Sequence, residues 1–320
     1  MCYSAQIRQD YRKFTKEFGA TLSIRDFVRL YWQRQEDGGR TKIPKAMDAE
    51  FAGTPGDEVA EIRRLVGEFN TQQAAKLEQE LFKQTKRLAD AQRTLLTKTT
   101  KKAQEDVRIS TDKIEWAKGK LSDLQRTELI GEDSRIFPGW YAPVMVMENG
   151  QRVVKPMRYQ CRLAGKPADY DFKYPGTYNA RRDNLEGFWG DLFGYSHGIT
   201  VVNAFYENVS RHKVEGRELA PGEKDESVVL EFRPQAQQDM LVACLWSHWQ
   251  GPGGPDLLSF AAITDNPPPE VAAAGHDRCI IPIKPEHVDA WLNPDPKNFA
   301  ALYAILDDRE RPYYEHRLAA

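Results

Sequence analysis

The chain has 320 residues, with 45 Lys and Arg against 47 Asp and Glu and a formal net charge of −2, so a nucleic-acid contact would require a local basic patch. At 41% hydrophobic and 11% aromatic residues it is too apolar to be wholly disordered, and it is long enough for more than one domain. Cys2, Cys161, Cys244 and Cys279 form no CxxC pair, the opening MCYSAQIRQD has no apolar signal core, and no stretch approaches the roughly 18 apolar residues of a membrane span. A thiol-reduced, cytosolic protein without a bound cofactor is expected.

Residues 1–10 read as a short strand around Ile7. In 24–34, Ile24, Phe27, Val28 and Tyr31 recur at helical spacing behind a candidate N-cap, Ser23, and Gly38-Gly39 ends the pattern. After the break at 53–56, residues 57–130 change character: no proline occurs until Pro138. Leu77, Leu81, Leu88, Ala91 and Leu95 form one stripe, and Ile114, Ala117, Leu121 and Leu124 form a second. This pattern predicts a coiled-coil-like helical hairpin turning within 98–111; one long bent helix is the alternative, because no Gly or Pro marks the turn. Residues 71–130 carry four more cationic than anionic side chains, which suits either a clamp on DNA or a partner, or a solvated insertion.

From Ile136 the chain becomes aromatic, β-branched and punctuated by Gly and Pro. Strands are predicted at 142–147, 152–154, 200–206, 227–232, 239–246 and 258–264, with a hairpin turn at Glu148-Asn149-Gly150 and a short helix at 287–292. The fold class expected is α+β: an antiparallel sheet or open β-barrel formed by 1–10 and 131–320, interrupted by a mostly helical insertion at 11–130.

Removal of Met1 would make Cys2 the N-terminal residue. Its α-amine would titrate near pKa 7.7–8.0 and its thiol near 8.5, so both are usable nucleophiles close to neutral pH. Such a 1,2-aminothiol condenses with an aldehyde to an imine and closes to a thiazolidine, which no internal cysteine can do.

Further motifs follow in order: Pro156-Met157-Arg158-Tyr159, Tyr178-Asn179-Ala180-Arg181, Asn203-Ala204-Phe205-Tyr206-Glu207, Ala243-Cys244-Leu245-Trp246, Ile263-Thr264-Asp265, Gly275-His276-Asp277-Arg278 and Trp291-Leu292. With Cys2, this ordered set resembles the SRAP (SOS-response-associated peptidase) family of abasic-site processing proteins. The resemblance covers most of 1–5 and 137–295 and leaves 11–130 unexplained. It implies a covalent crosslink to abasic sites in single-stranded DNA, with Cys2 as nucleophile and Asn179, Glu207 and His276 completing the catalytic set. A carboxylate could keep the amine neutral, and an imidazole could protonate the sugar ring oxygen. The same groups could remove Met1.

Arg158, Arg181, Arg182 and Arg278 are candidates for phosphate, and Tyr159, Phe188 and Trp189 for base stacking or, for the last two, core packing. His276 and Cys279 at i+3 lack a second ligand pair, so no metal is expected. The chain departs from the family pattern where Arg158-Tyr159-Gln160-Cys161 replaces Arg-Trp-Gly-Leu, where Arg182-Asp183-Asn184 follows the Asn-Ala-Arg run, where Asn208 replaces a tryptophan, and at Cys279-Ile280-Ile281-Pro282. Two rival readings are a cysteine peptidase acting on peptides and a non-catalytic module binding DNA or a partner.

Overall fold

Alternating apolar side chains build one mixed sheet of thirteen strands among the described residues. The computed structural model describes residues 4–7, 11–251 and 256–319. The strands are β1 (Ser4–Ile7), β2 (Thr21–Leu22), β3 (Arg135–Ile136), β4 (Tyr141–Glu148), β5 (Gln151–Tyr159), β6 (Asn179–Arg181) and β7 (His197–Ser210). They continue with β8 (Ser227–Pro234), β9 (Met240–Trp249), β10 (Leu257–Asp265), β11 (Cys279–Ile280), β12 (Pro282–Ile283) and β13 (Tyr314–Leu318). Strand pairing runs β9-β10-β5-β4-β7, and β7 pairs again with β9, so five strands close a ring. The closure is narrow: β4 meets β7 at Met145↔Ile199, and β5 runs parallel to β10 over Arg158↔Ser259 and Tyr159↔Phe260. The α+β class expected from the sequence is the one observed.

β7 is the longest strand, and it changes neighbours along its length. His197–Val202 pair with β9, whereas Phe205–Ser210 pair with β8. At the exchange, Gln6 lies opposite Ala204 and Ile7 opposite Val202, leaving Asn203 as the extra residue of a β-bulge. A bulge bends and twists its strand, which is what a switch of partner requires. The β4–β5 hairpin turns at Asn149 and Gly150, with φ of 51° and 75°, the positive pair that a tight primed turn demands.

The first helices are α1 (Tyr11–Phe18), α2 (Ile24–Glu36) and α3 (Lys45–Gly53). α2 buries Phe27, Leu30, Tyr31 and Arg34. Ser23 holds the N-cap position as expected, but its hydroxyl donates to Asp26 at 2.6 Å and makes no capping bond to the helix backbone. At the other end, Asp37 accepts from the backbone N–H groups of Gly39, Arg40 and Thr41, which fixes the sharp exit. Residues 1–53 and 131–320 form one compact unit and 54–130 another, so 11–53, grouped with the insertion from sequence, lie in the unit of the sheet. Apolar faces such as Phe27 and Phe51, whose rings meet at 5.1 Å, give that segment a core of its own.

The second unit is the expected helical hairpin, α4 (Ala60–Thr97) and α5 (Lys101–Gln125). At 1.5 Å per residue, the 38 residues of α4 extend about 57 Å. The turn is 98–100, where Lys98 and Thr100 are both extended, so no glycine is needed. Thr100 caps α5, its hydroxyl oxygen accepting from the N–H of Ala103 at 3.1 Å. Ala91, Ala103, Ser110 and Ala117 are buried, small side chains that let the helices approach, and Arg87–Asp106 and Lys113–Glu80 bridge them. No helix among the described residues is long and apolar enough to cross a membrane.

His197 anchors the start of β7 in the core. Its Nε2 accepts from the Gly194 N–H at 2.9 Å, its Nδ1 donates to the Trp291 carbonyl at 3.1 Å, and the imidazole lies 4.0 Å from the Trp291 ring. Both ring nitrogens are committed to the neutral tautomer, and burial pushes the pKa down to about 3. The unfolded chain therefore binds a proton between about pH 6.5 and 3 that the folded chain does not, and stability falls as pH drops through that window. Unfolding in urea across this range is expected to show the loss. His197→Gln is expected to destabilise the protein by about 1–3 kcal/mol at neutral pH while flattening that part of the profile.

Candidate active site

Glu207 lies on the same interior face of β7 as Phe205, two residues earlier. Phe205 stacks on Phe232 with ring centroids 5.1 Å apart and takes Tyr314 edge-on at 5.1 Å. Strand alternation thus carries a carboxylate into an apolar layer, and Glu207 is 0% exposed. A carboxyl group buried there costs several kcal/mol unless it is matched. The match is His276, whose Nε2 is 3.0 Å from Glu207 Oε2.

His276 follows the short helix Pro269–Ala273 and precedes β11, and its Nδ1 is 2.9 Å from the Arg278 carbonyl oxygen. A carbonyl only accepts, so Nδ1 carries hydrogen. The ring is thus oriented by Nδ1, and Nε2 is turned to the carboxylate 3.0 Å away, a pairing of a base and an acid with no other described polar group between them.

β10 joins this pair to Asn179. On one side Ala262, Ile263 and Thr264 run parallel to Asn179, Ala180 and Arg181; on the other, Thr264 and Asp265 face Ile280 and Cys279. The fully buried Thr264 donates its hydroxyl to Asn179 Oδ1, which leaves the amide nitrogen as the end that can donate. Thr264 is a candidate site residue that only its hydrogen bond to Asn179 reveals, since a threonine in an apolar strand carries no distinguishing signal. Arg278 forks onto Asp277 at 2.9 and 3.0 Å, holding that carboxyl well below the usual range. The same bond raises the pKa of Arg278, to which the Glu207 carboxylate and the Tyr178 hydroxyl add.

The candidate DNA-binding residues divide by exposure. Arg158 donates to Asp171 at 2.7 Å and to the Gln160 carbonyl, and Arg162 forks onto the same buried Asp171. Arg158 is thus anchored by the fold, on the wall of a cavity of about 1020 Å³ that Arg162, Asp171 and Tyr178 also line. Tyr159 is also displaced from its expected role: it is 3% exposed, packed against Tyr178 and Phe260, because β5 runs through the core there. Trp189 is buried as well, whereas Phe188 meets it edge-on and remains 40% exposed. Arg182 is paired to Asp307 at 2.6 Å and to Asp265 at 3.5 Å. Arg181 pairs with the exposed Asp183 at 3.1 Å, and Arg278 with the exposed Asp277. Exposed pairs of this kind are worth about 0–1 kcal/mol, so a phosphate can compete for either arginine.

Cys2 lies outside the described residues. Its tether is described: β1 starts at Ser4, which sits opposite Tyr206, the residue before Glu207. Cys161, Cys244 and Cys279 are all buried, and burial pushes each thiol up, Cys161 to about 12. Among the described residues, no group of three or more His, Cys, Asp or Glu side chains is placed to hold a metal ion.

Residues 91–317, more than two thirds of the chain, match the SOS response associated peptidase (SRAP) family. The chain belongs to the SRAP family. Membership associates it with DNA and with the SOS response to DNA damage. Among solved structures, a protein from Bordetella bronchiseptica is 15% identical, with a TM-score of 0.46 over 58% of this chain and 87% of its own. A protein from Bacteroides thetaiotaomicron is 11% identical, with a TM-score of 0.46 over 58% and 78%. A phage-related protein from Bordetella bronchiseptica is 17% identical, with a TM-score of 0.43 over 61% and 85%. No curated protein matches the chain in sequence.

Glu207 and His276 are both buried and 3.0 Å apart, so their energies are coupled. A double-mutant cycle of Glu207→Gln and His276→Asn, read by urea unfolding, is expected to give a coupling of about 1–3 kcal/mol. Additive effects would mean that the two groups act separately.

Proposed function

We propose that this SRAP protein captures abasic sites in single-stranded DNA as a covalent thiazolidine through Cys2, once Met1 has been removed. The observation that carries the reading is the buried Glu207–His276 pair, 3.0 Å apart, with Glu207 on the strand beside which the described N-terminal strand is laid. The described chain begins at Ser4, two residues after Cys2 in sequence and opposite Tyr206 on this strand. The other three cysteines are sealed in the core with raised pKa values, which leaves Cys2 as the thiol able to act.

In the proposed sequence, His276 protonates the ring oxygen of the abasic sugar as the C1–ring oxygen bond breaks, and the anomeric hydroxyl gives its proton to water, leaving the aldehyde. Glu207 accepts a proton from the Cys2 ammonium, and the neutral amine adds to the carbonyl carbon. The resulting carbinolamine loses water to give the imine. The Cys2 sulfur then adds to the imine carbon while its proton passes to the imine nitrogen, closing the five-membered ring. One water is released in total, and nothing is oxidised or reduced. Asn179 would hold the amine or a backbone oxygen through its amide N–H, adding no charge. Arg181 and Arg278 would exchange their exposed carboxylate partners for phosphates and fix the strand. Removal of Met1 would use the same groups: the Cys2 sulfur attacks the Met1 carbonyl, the departing Cys2 amine takes a proton, and water hydrolyses the resulting thioester to release methionine and restore the thiol.

Incubation with single-stranded DNA containing one abasic site is expected to give a complex that survives denaturing electrophoresis. Cys2→Ala is expected to abolish it, and a denaturation-resistant complex persisting in that variant overturns the proposal. Glu207→Gln is expected to slow its formation by about 10²–10⁴-fold, the range of a general acid or base. Alkylation of the native protein at pH 8 followed by peptide mapping is expected to label Cys2 and spare Cys161, Cys244 and Cys279. Intact mass of Glu207→Gln is expected to show Met1 retained if the pair performs that step.

A further inference from the structure

The charge of the helical arm is segregated, and the catalytic chemistry does not use it. Within the arm, residues 83–102 carry seven cationic side chains and one carboxylate, Asp90, a net charge of +6; the other arm residues, 54–82 and 103–130, sum to −4. The basic stretch is the turn end of the hairpin, covering the last part of α4, the turn 98–100 and the first residues of α5. Lys86, Lys98, Lys101 and Lys102 are exposed and have no carboxylate partner among the described residues. Lys101 and Lys102 occupy the first turn of α5, where the helix dipole already presents positive charge and acidic side chains are favoured. A sequence selected for arm stability alone would place the opposite sign there.

The geometry gives these charges a shared surface. A groove of about 540 Å³ lies between the two helices at this end, lined by Lys83, Lys86, Arg87 and Lys102 and by the hydroxyl residues Thr94 and Thr100. From Lys83 to the end of α4 is about 21 Å along the axis, the length of roughly six phosphates on one strand of a duplex. Asp90 and Asp106 also line it, Asp106 being paired to Arg87, so the cationic excess over the lining comes from the lysines; with hydroxyl donors and no aromatic ring beside them, they suit phosphates and not bases.

We infer that the turn end of the arm is a second nucleic-acid contact, one that grips the phosphodiester backbone without regard to sequence or to the abasic lesion. The inference takes from the proposed function only that the partner is nucleic acid, and it is independent of Cys2. Binding there would hold the protein on a strand by counterion release, so its signature is salt dependence.

The test uses the full chain and a fluorescein-labelled, unmodified single-stranded oligonucleotide, with anisotropy measured at several NaCl concentrations. Replacing Lys86, Lys98, Lys101 and Lys102 by Gln is expected to weaken binding and to reduce the slope of log K against log salt by about 3, at roughly 0.7 per phosphate contact. A control replacing Lys76, Lys113, Lys118 and Lys120 by Gln removes the same net charge from elsewhere on the arm and is expected to leave the slope unchanged. All eight lysines are exposed, and circular dichroism verifies that both variants keep their helices. Equal slopes for wild type and the first variant overturn the inference, as does an equal loss in both variants, which would assign the effect to overall charge. Tighter binding to phosphatidylserine vesicles than to the oligonucleotide, lost in the first variant, overturns it in favour of a membrane. The crosslink at an abasic site separates the two proposals: the first variant is expected to retain it at low salt, whereas Cys2→Ala is expected to lose it and keep the salt-dependent binding.

Discussion

Everything at the candidate site depends on one strand that has to serve two sets of neighbours. The first half of β7 closes the ring against β9, and the second half carries β8 and β1. A regular strand twists too gradually to do both, and the bulge at Asn203 supplies the extra residue and the bend. Beyond it, strand alternation leaves Phe205 and Glu207 facing the core and Tyr206 facing the other way, toward Arg135 and Gln6. The burial of Glu207 follows from this bend. A carboxyl carried into an apolar layer then makes its partner obligatory, and His276 is held in that place by the Arg278 carbonyl.

The arginines show how burial divides residues of one type between structure and contact. Arg158 and Arg162 converge on one buried aspartate, and Arg162 also lies over the Trp249 ring at 4.5 Å, so their geometry is set by the fold. Removing one partner of such a pair strands the other charge away from water. Arg181 and Arg278 bond to aspartates that are themselves about 70% exposed, so their partners are exchangeable at small cost. At the arm's turn end the pattern goes one step further, with lysines that have no carboxylate to leave.

The hairpin of α4 and α5 illustrates what pattern can and cannot specify. Leucine and alanine stripes announce two helices, and they are found. The buried contacts are nevertheless made mostly by Ala91, Ala103, Ser110 and Ala117, while Leu77 and Leu95 stay half-exposed, because close approach of two helices favours small side chains at the seam. The turn could not be located from composition, since extended Lys98 and Thr100 reverse the chain with no glycine or proline to mark it.

The sequence by itself determined the α+β class, the main strands, the helical insertion and the chemical types at Asn179, Glu207 and His276, because alternation, helical spacing and ordered motifs are local properties. It could not show that Glu207 and His276 meet at 3.0 Å, that Thr264 holds Asn179, or that Tyr159 is core while Arg181 is partly exposed. Each of those depends on register between strands distant in sequence: β7 against β8, β6 against β10 and β10 against β11. A shift of one residue in any of these pairings would turn the same side chains to the opposite face. Tertiary structure alone decided which of two identical residue types is buried, and burial is what separates an arginine that holds the fold from one that can hold a phosphate.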